Sequence, residues 1–204
     1  MLKQFYEKDK LEVGIDEAGR GCLFGPVCIG AVIWPQADPE PLLEIKDSKK
    51  CSEKKRNYLR SYIEDNAIAW SVTMVHHDEI DSLNILNATI KGMHKCIDEI
   101  RSQLEIDTIL VDGNSFKTYT DNDFNYINHK CIINGDNTYK SIAAASILAK
   151  THRDQYICQL IDKNPLLLKY GLDSNKGYGT KKHMDAIKLF GTISGHRLSF
   201  KPCF

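Results

Sequence analysis

The sequence lacks the paired cysteines that would indicate a disulfide framework or a zinc site. It has an odd number of cysteines, and no two of them form a Cys-x-x-Cys pair. Disulfide scaffolds and structural zinc sites both depend on closely and regularly spaced cysteines. We therefore expect free, mostly buried thiols in a reducing compartment. The seven are scattered along the chain: Cys22, Cys28, Cys51, Cys96, Cys131, Cys158 and Cys203.

Long apolar runs are missing as well. The first ten residues carry too many charges for the apolar core of a signal peptide. No run approaches the roughly 20 apolar residues that a membrane helix needs. Internal repeats and low-complexity tracts are also absent from the sequence. These absences exclude fibrous and membrane classes, and they predict a cytoplasmic protein with no membrane contact.

The chain has no net charge, because 27 basic and 27 acidic residues cancel. The charges are nevertheless unevenly placed. Residues 46–60 hold seven Lys or Arg against two acids, and residues 175–204 hold six against one. Two basic patches that flank an acidic centre would suit a polyanion lying across a metal site. Taken alone, such patches are more typical of solvated helix faces.

What the sequence does contain is an alternation of strands and helices. With 204 residues, of which 42% are hydrophobic, the chain has the size and composition of one globular domain. The alternation predicts a three-layer α/β domain, with residues from about 165 to 204 forming a helical C-terminal portion beside it. The predicted strands are 11–16, 27–34, 67–75, 106–111 and 128–133; the predicted helices are 53–65, 84–104, 141–162 and 181–190, with a polar loop at 171–179.

Acidic residues follow three of the predicted strands. Asp16 and Glu17 end the first strand, Asp112 follows the fourth, and Asp136 follows the fifth. Strand ends in an open α/β sheet gather at one edge, where ligands usually bind. Four carboxylates gathered there would repel one another without cations, and oxygen ligands suit Mg²⁺ or Mn²⁺. We therefore predict two metal ions that activate a water and stabilise the leaving oxygen of a phosphoryl displacement.

A Gly-Arg-Gly turn follows the first two acids. Glycine tolerates positive φ and has no Cβ, so amides between Gly19 and Gly21 could lie directly against a sugar or a phosphate. Adjacent residues of a regular strand point to opposite faces, so Asp16 and Glu17 share a site only if the chain bends at Ala18-Gly19. The alternative is a solvated turn after an edge strand. A nucleotide-binding loop is not indicated, because no Lys-Ser/Thr pair follows.

Several other polar residues are candidates for contact with a nucleic-acid backbone. Ser146, Lys150 and Arg153 are spaced by four and three, so they share one face of a predicted helix. Asn84 and Asn87 could bond to the nucleic-acid strand, or they could cap the long helix that begins there. A DNA-binding surface near the C-terminus is predicted to include Lys181, Lys182, His183, His196 and Arg197, although each one singly is more typical of a solvated side chain.

Six motifs, taken in order, resemble those of bacterial ribonuclease HII. The motifs are Gly14–Gly21, Asp47-Ser48-Lys49-Lys50, Asn84–Thr89, Val111–Asn114, Gly135-Asp136 with Ser141–Lys150, and Lys176–Thr180. The resemblance runs from about residue 11 to Pro202. It implies a ribonuclease H-like fold with a mixed central sheet, and metal-dependent hydrolysis of RNA in RNA/DNA hybrids. It also implies ribonucleotide excision repair, by incision 5′ of single ribonucleotides in duplex DNA that leaves 3′-hydroxyl and 5′-phosphate ends.

The resemblance further implies a role for each matching residue. The four catalytic, metal-binding acids are Asp16, Glu17, Asp112 and Asp136. Gly19, Arg20 and Gly21 match the turn that senses the 2′-hydroxyl at the RNA–DNA junction, the group that distinguishes ribose from deoxyribose. Tyr178 matches the tyrosine that stacks on the following deoxyribose. Lys49 and Lys50 match a loop that faces the first motif, which indicates phosphate contact; the alternative is a solvated lead-in to a helix.

The chain departs from the family pattern at four positions. Cys22 stands in place of a usual proline, Asn134 of a lysine, Cys51 of a leucine and Asn175 of a histidine. None of these changes removes a catalytic acid. We expect Cys22 to make the turn less rigid, and Asn134 to shift the pH optimum or the metal preference, because a positive charge is lost beside the metals.

Two other functions are compatible with parts of this pattern. The sister ribonuclease HIII shares the acidic core, but it typically carries an extra N-terminal substrate-binding domain, and only about ten residues precede the first strand here. A non-catalytic hybrid-binding module would gain nothing from four acids beside a polyanion. We expect a monomer that binds RNA/DNA hybrids and ribonucleotide-containing duplexes; weak docking to replication proteins is left open.

Overall fold

The alternating segments of the sequence form five strands in this computed structural model, which describes residues 2–39, 45, 52–121 and 123–204. The strands are β1 (Glu12–Ala18), β2 (Val27–Ile33), β3 (Ala69–Val75), β4 (Thr108–Asp112) and β5 (Asn128–Ile132). They form one sheet in the order β3-β2-β1-β4-β5. The β1–β2 and β2–β3 pairs are antiparallel, whereas β1–β4 and β4–β5 are parallel. The predicted mixed sheet is confirmed.

Helices cover both faces of this sheet. The described residues form α1 (Glu53–Asn66), α2 (His77–Leu83), α3 (Ile85–Arg101), α4 (Lys140–Lys163), α5 (Leu172–Asn175) and α6 (Lys181–Phe190). The apolar stripe of α3, including Met93 and Ile97, packs with Ile15 and Ile29 of the sheet in one buried cluster. The opposite face of the sheet packs against α1 and α4 in a second cluster. The chain therefore has the three layers that its sequence predicts.

Helix α4 lies directly on the sheet because both surfaces are made of small residues. A Cβ on Gly14 of β1 would lie 2.4 Å from the backbone nitrogen of Ile142, and one on Gly30 of β2 would lie 2.4 Å from the carbonyl oxygen of Ala145. The alanine-rich start of α4 completes this close approach. It brings the next turns of α4 beside the carboxyl end of β1, where the site is built.

The C-terminal portion forms a third buried cluster beside the sheet. It begins with a 3-10 turn (Pro165–Tyr170) and continues through α5 and α6. Its apolar residues, such as Leu172 and Ile187, pack with Leu23 and Phe24 from the β1–β2 connection. This contact places the C-terminal portion directly behind the Gly-Arg-Gly turn. None of the helices in the described ranges is both long and apolar enough to cross a bilayer.

Two short helices differ from the sequence-based expectations. The prediction of a polar loop over residues 171–179 is wrong at Leu172–Asn175, where the chain forms α5. This short helix lies between Gly171 and Lys176, both of which have positive φ. The sequence indicates a helix entry at His77, where α2 does begin, but it does not predict where α2 ends; Asn84, with φ of 66°, separates α2 from α3. Such short elements have too few turns to produce a periodic apolar pattern.

The expectation of free, mostly buried cysteines is confirmed for the described chain. Cys22, Cys28, Cys96 and Cys203 are buried, Cys158 is partly buried, and Cys131 on the edge strand β5 is exposed. Cys51 lies outside the described residues.

Candidate active site

Three neighbouring parts of the sheet edge present the predicted acids. Asp16 lies near the end of β1, and Asp112 is the last residue of the parallel strand β4. Asp136 lies in a 3-10 turn (Gly135–Asn137) that follows β5. The strands β1, β4 and β5 are consecutive in the sheet, and both of their pairings are parallel. Their carboxyl ends therefore meet at one edge, which explains why acids distant in sequence lie there.

Asp16 is the most deeply buried of the acids on β1 and β4. Its side chain is only 5% exposed. Burial raises its pKa well above the usual range, and the nearby negative charges of Glu17 and Asp112 raise the pKa further. A hydroxyl bond from Ser146 and the Glu17 amide, 2.7 Å from the Asp16 Oδ1, partly offset this shift. Three carboxyl groups therefore interact electrostatically at this point.

Asp112 and Asp136 are linked through the backbone of the residue that precedes Asp136. The Gly135 amide donates to the Asp112 Oδ1 over 2.7 Å. A Cβ on Gly135 would lie 2.6 Å from the Ile142 Cδ1 and 3.3 Å from that carboxylate oxygen, so a larger residue would require the Ile142 side chain to move. Asp136, which is 2% exposed, accepts from the Asn137 side chain over 3.0 Å. Asn134 occupies the left-handed region before this turn, a conformation that asparagine tolerates well.

Carboxylate oxygens are the ligands that Mg²⁺ and Mn²⁺ prefer, so the chemistry of these four acids fits such ions. Burial is the main cause of the raised pKa of Asp16, and the negative charges of Glu17 and Asp112 add to it; a bound cation would offset both effects. As the side chains stand, however, the described residues contain no group of three or more His, Cys, Asp or Glu that could hold a metal ion. One oxygen of each of Asp16, Asp112 and Asp136 accepts a hydrogen bond from a protein donor. The shared metal site therefore stays a prediction.

A cleft of about 260 Å³ brings most of the predicted site residues together. The β1 ladder continues through Ala18, and the chain turns at Gly19, where φ is 88°. Beyond that turn, Arg20 Nη1 lies 3.2 Å from Glu17 Oε1. The residues lining the cleft are Asp16, Glu17, Ala18, Gly19, Arg20, Gly21, Arg56, Ser146, Lys150 and Tyr178.

Tyr178 closes this cleft from the side of the C-terminal portion. It is 42% exposed and pairs with Cys22 in an isolated bridge, so its backbone is tied to the Gly-Arg-Gly turn. The Lys150 Nζ lies 5.6 Å from the centre of its ring, and the same nitrogen is 2.8 Å from the Asp154 carboxylate. Tyr178 thus presents an accessible aromatic face beside a cation, a combination suited to a sugar–phosphate backbone.

Arg56 lines the cleft although it is not among the predicted site residues. It lies in the first turns of α1, inside the basic segment 46–60. The sequence marked that segment as basic, but it gave no signal for which of its seven cations would face the acids. Lys49 and Lys50, which were predicted from this segment, lie outside the described residues.

Four residues that were predicted to lie on a nucleic-acid-binding surface are buried in the interior. Arg153, His183 and Arg197 are fully buried and His196 is 1% exposed, so the predicted surface role is wrong for all four. Each guanidinium donates to backbone carbonyls, which replace the water that these charges would otherwise need. Lys181 and Lys182 are exposed, as expected for a surface.

Asn84 and Asn87 belong to the junction of α2 and α3. The Asn84 side chain accepts from the Asn87 amide over 3.1 Å, so the helix-cap alternative is confirmed. Asn87 accepts from Lys117 Nζ over 3.0 Å. Neither residue lines the described part of the 260 Å³ cleft, and their contact with nucleic acid stays a prediction.

Known proteins are similar to this chain over nearly its whole length. A family model for ribonuclease HII matches residues 13–203. The ribonuclease HII of Cytophaga hutchinsonii is 46% identical over 199 residues, which cover 98% of this chain and 93% of the relative.

Solved structures share the fold. The ribonuclease H2 of Pyrococcus horikoshii OT3 has a TM-score of 0.72 at 25% identity, with 94% of each chain covered. The ribonuclease HII of Archaeoglobus fulgidus, solved as a complex with PCNA, has a TM-score of 0.71 at 25% identity, with 92% of each chain covered. Bst-RNase HIII in complex with Mn²⁺ has a TM-score of 0.69 at 18% identity over 95% of this chain and 68% of its own, which shows the fold alone.

Proposed function

Because the chain belongs to the ribonuclease HII family, we propose that it incises duplex DNA on the 5′ side of single embedded ribonucleotides. The chain is a metal-dependent ribonuclease H, an endonuclease that acts on RNA/DNA hybrids. The finer proposal is that the products carry 3′-hydroxyl and 5′-phosphate ends, and that the cellular task is the excision of misincorporated ribonucleotides.

One observation carries this proposal: a single cleft contains two of the proposed catalytic acids, the whole Gly-Arg-Gly turn, and Tyr178. The chemistry would take place at Asp16 and Glu17, and the sugar would be read at the turn only a few residues away. A turn that recognises the sugar so close to the reacting phosphate would direct cleavage to one phosphodiester, rather than to every phosphodiester of the strand. This arrangement favours a junction-specific nuclease over a general one.

We propose that Asp16, Glu17, Asp112 and Asp136 hold two Mg²⁺ or Mn²⁺ ions. Bound there, such ions lower the pKa of an attacking water and stabilise the leaving 3′-oxygen. Ser146, whose contact with the nucleic-acid backbone stays a prediction, is only 5% exposed. It supports this site from α4, because its hydroxyl bonds to Asp16 and favours the ionised carboxylate.

The remaining lining residues would bind and orient the substrate. The amides of the Gly-Arg-Gly turn would bond to the 2′-hydroxyl, and the Tyr178 ring would stack on the next deoxyribose. Lys150 would contact a phosphate near that ring, with Arg56 as a further cation on the same cleft. Lys49 and Lys50 are also proposed to contact phosphate.

The test is a cleavage-site map on a duplex that carries one ribonucleotide in a labelled strand. We expect wild-type protein with Mg²⁺ or Mn²⁺ to cut once, at the 5′ side of the ribonucleotide. Asp16→Asn should reduce cutting to the level seen with a chelator. The matched control is Asp65→Asn, an exposed acid at the far end of α1, which should cut as wild type does.

A non-catalytic hybrid-binding module is the alternative that this experiment separates. If wild type and Asp16→Asn both bind the duplex and neither cuts it, the nuclease proposal is wrong for this substrate. Cutting at many positions of an RNA/DNA hybrid, but not beside a single ribonucleotide, would leave only the general ribonuclease H activity.

We also propose that the protein acts as a monomer in the cytoplasm. The archaeal structure in complex with PCNA suggests weak docking of this chain to a replication protein of the same kind. Sedimentation analysis of the protein alone should give the mass of a single 23.2 kDa chain; a concentration-dependent dimer would contradict the monomer.

A further inference from the structure

The Gly-Arg-Gly turn rests on a buried guanidinium. Arg197 is fully buried. Its Nη2 donates to the carbonyl of Gly19 and its Nη1 to the carbonyl of Arg20, both over 2.8 Å, while its Nε donates to the carbonyl of Gly25 over 3.0 Å. Burial lowers its pKa to about 10, so the side chain is still protonated at neutral pH.

These bonds set the direction of two peptide groups. In a trans peptide the C=O and the N–H of one unit point in opposite directions. The Gly19 carbonyl shares its unit with the Arg20 amide, and the Arg20 carbonyl shares its unit with the Gly21 amide. Because Arg197 holds both carbonyls towards the interior, both N–H groups point away from it, towards the outer side of the turn.

That outer side is the cleft. Arg20 and Gly21 are exposed and line the cleft together with Asp16 and Tyr178. Across the parts of the chain that the structure covers, neither amide donates to a protein acceptor. A cation on the carbonyl side also polarises each peptide unit, which strengthens its N–H as a donor. The turn therefore presents two aligned donors to whatever occupies the cleft.

We propose that Arg197 is the positioning residue for sugar recognition: it fixes the Arg20 and Gly21 amides in the orientation that bonds to the 2′-oxygen of a ribonucleotide. This inference rests on the proposed function, in which the turn reads the ribose. It adds a buried residue to the specificity of the site, although that residue touches no substrate.

The second buried arginine provides a matched control. Arg153 is equally buried, and its three donors bond to the carbonyls of Pro26, Lys176 and Phe24 over 2.7–2.9 Å. None of these carbonyls belongs to the two peptide units whose amides face the cleft. Replacement of Arg153 therefore costs a buried guanidinium of the same kind without releasing the two amides.

The experiment compares Arg197→Lys with Arg153→Lys. A lysine keeps the charge, but its compact ammonium group cannot span three carbonyls. For each folded protein, the dissociation constant is measured for a duplex with one ribonucleotide and for the all-DNA duplex of the same sequence, with Ca²⁺ present so that the duplex stays intact. The ratio of the two constants isolates recognition of the 2′-hydroxyl.

We expect Arg197→Lys to lose the preference for the ribonucleotide, by about tenfold if both amide bonds weaken, while the affinity for the all-DNA duplex stays within about twofold. Arg153→Lys should keep the preference. If Arg197→Lys weakens both affinities equally, or keeps the preference, Arg197 is only structural and the inference is wrong. If wild type itself shows no preference, the proposed sugar reading fails, and the inference fails with it.

A measurement on the wild-type protein covers the case in which the variants do not fold. The amide signals of Arg20 and Gly21 in ¹⁵N-labelled protein should move downfield when the ribonucleotide duplex is added with Ca²⁺, and should move less with the all-DNA duplex. Signals that respond equally to both duplexes would contradict the inference.

Discussion

Replacing Gly19 with alanine would put a methyl group where the Arg153 side chain lies. The added Cβ would be 2.0 Å from the Arg153 Nε and 2.6 Å from its Cδ. Gly19 also has a φ of 88°, a conformation that residues with a Cβ rarely adopt. The substitution is therefore opposed both by the backbone of the turn and by the buried cation behind it.

The magnitude follows from these two costs. Positive φ in a non-glycine residue costs about 1–2 kcal/mol. Moving Arg153 would break at least one of three bonds from a buried charge, and each such bond contributes about 1.5–3 kcal/mol. We expect a loss of about 3–5 kcal/mol in the free energy of unfolding. In a chain of this size that corresponds to roughly 10 °C in Tm, which thermal unfolding followed by circular dichroism measures directly.

Two other glycines separate the contributions. Gly113 has a φ of 90° and nothing within 4 Å of its Cβ position, so Gly113→Ala should lose only about 1–2 kcal/mol. Gly21 has neither positive φ nor a neighbour within 4 Å, so Gly21→Ala should be as stable as wild type within about 0.5 kcal/mol. If Gly19→Ala unfolds at the temperature of Gly21→Ala, the Arg153 side chain does not pack closely against Gly19 and the steric cost is refuted.

Two further predictions concern charge. Asp16→Asn removes a buried carboxylate that its neighbours repel, so it should raise Tm by a few degrees in the presence of a chelator. It should also reduce the stabilisation that Mn²⁺ gives the wild-type protein. Differential scanning calorimetry measures both effects, and an unchanged Tm in chelator would refute the repulsion. Burial lowers the pKa of His196 from 6.5 to about 4, so between these values the unfolded state takes up a proton that the folded state does not. Stability should therefore fall by about 2 kcal/mol from pH 7 to pH 5, and urea unfolding of His196→Gln should show a flatter pH dependence.

The sequence predicted the sheet and the acids because both leave local signals. A buried strand reads as a short apolar run, and Asp16 and Asp112 each stand at the end of one. The small residues of α4 likewise indicate the close approach that Gly14 and Gly30 of the sheet permit. These features depend on residues only a few positions apart, which is the range over which a pattern in one sequence can be read.

The interior role of Arg197 could not be predicted in this way. Its side-chain partners lie 172 to 178 positions earlier in the chain. Charged residues are rarely fully buried, so an arginine among lysines near the C-terminus is expected to lie on the solvated surface. The expectation of a surface position is also wrong for His183, whose Nδ1 bonds to the carbonyl of Tyr178 over 2.9 Å.

The physical requirement that buries these arginines is nevertheless visible in the connection between β1 and β2. Residues 19–26 leave the sheet and are largely covered by the C-terminal portion, where only isolated bridges pair them, so several of their carbonyls lose water without a regular ladder partner, and buried carbonyls must be bonded. Arginine alone combines five donors with no acceptor that would need a partner in turn. Two arginines satisfy five carbonyls of this connection, those of Gly19, Arg20, Phe24, Gly25 and Pro26. A long, glycine-rich connection that must be both covered and rigid therefore calls for buried guanidinium groups from elsewhere in the chain, and one of them, Arg197, is also the group proposed to orient the amides that face the cleft.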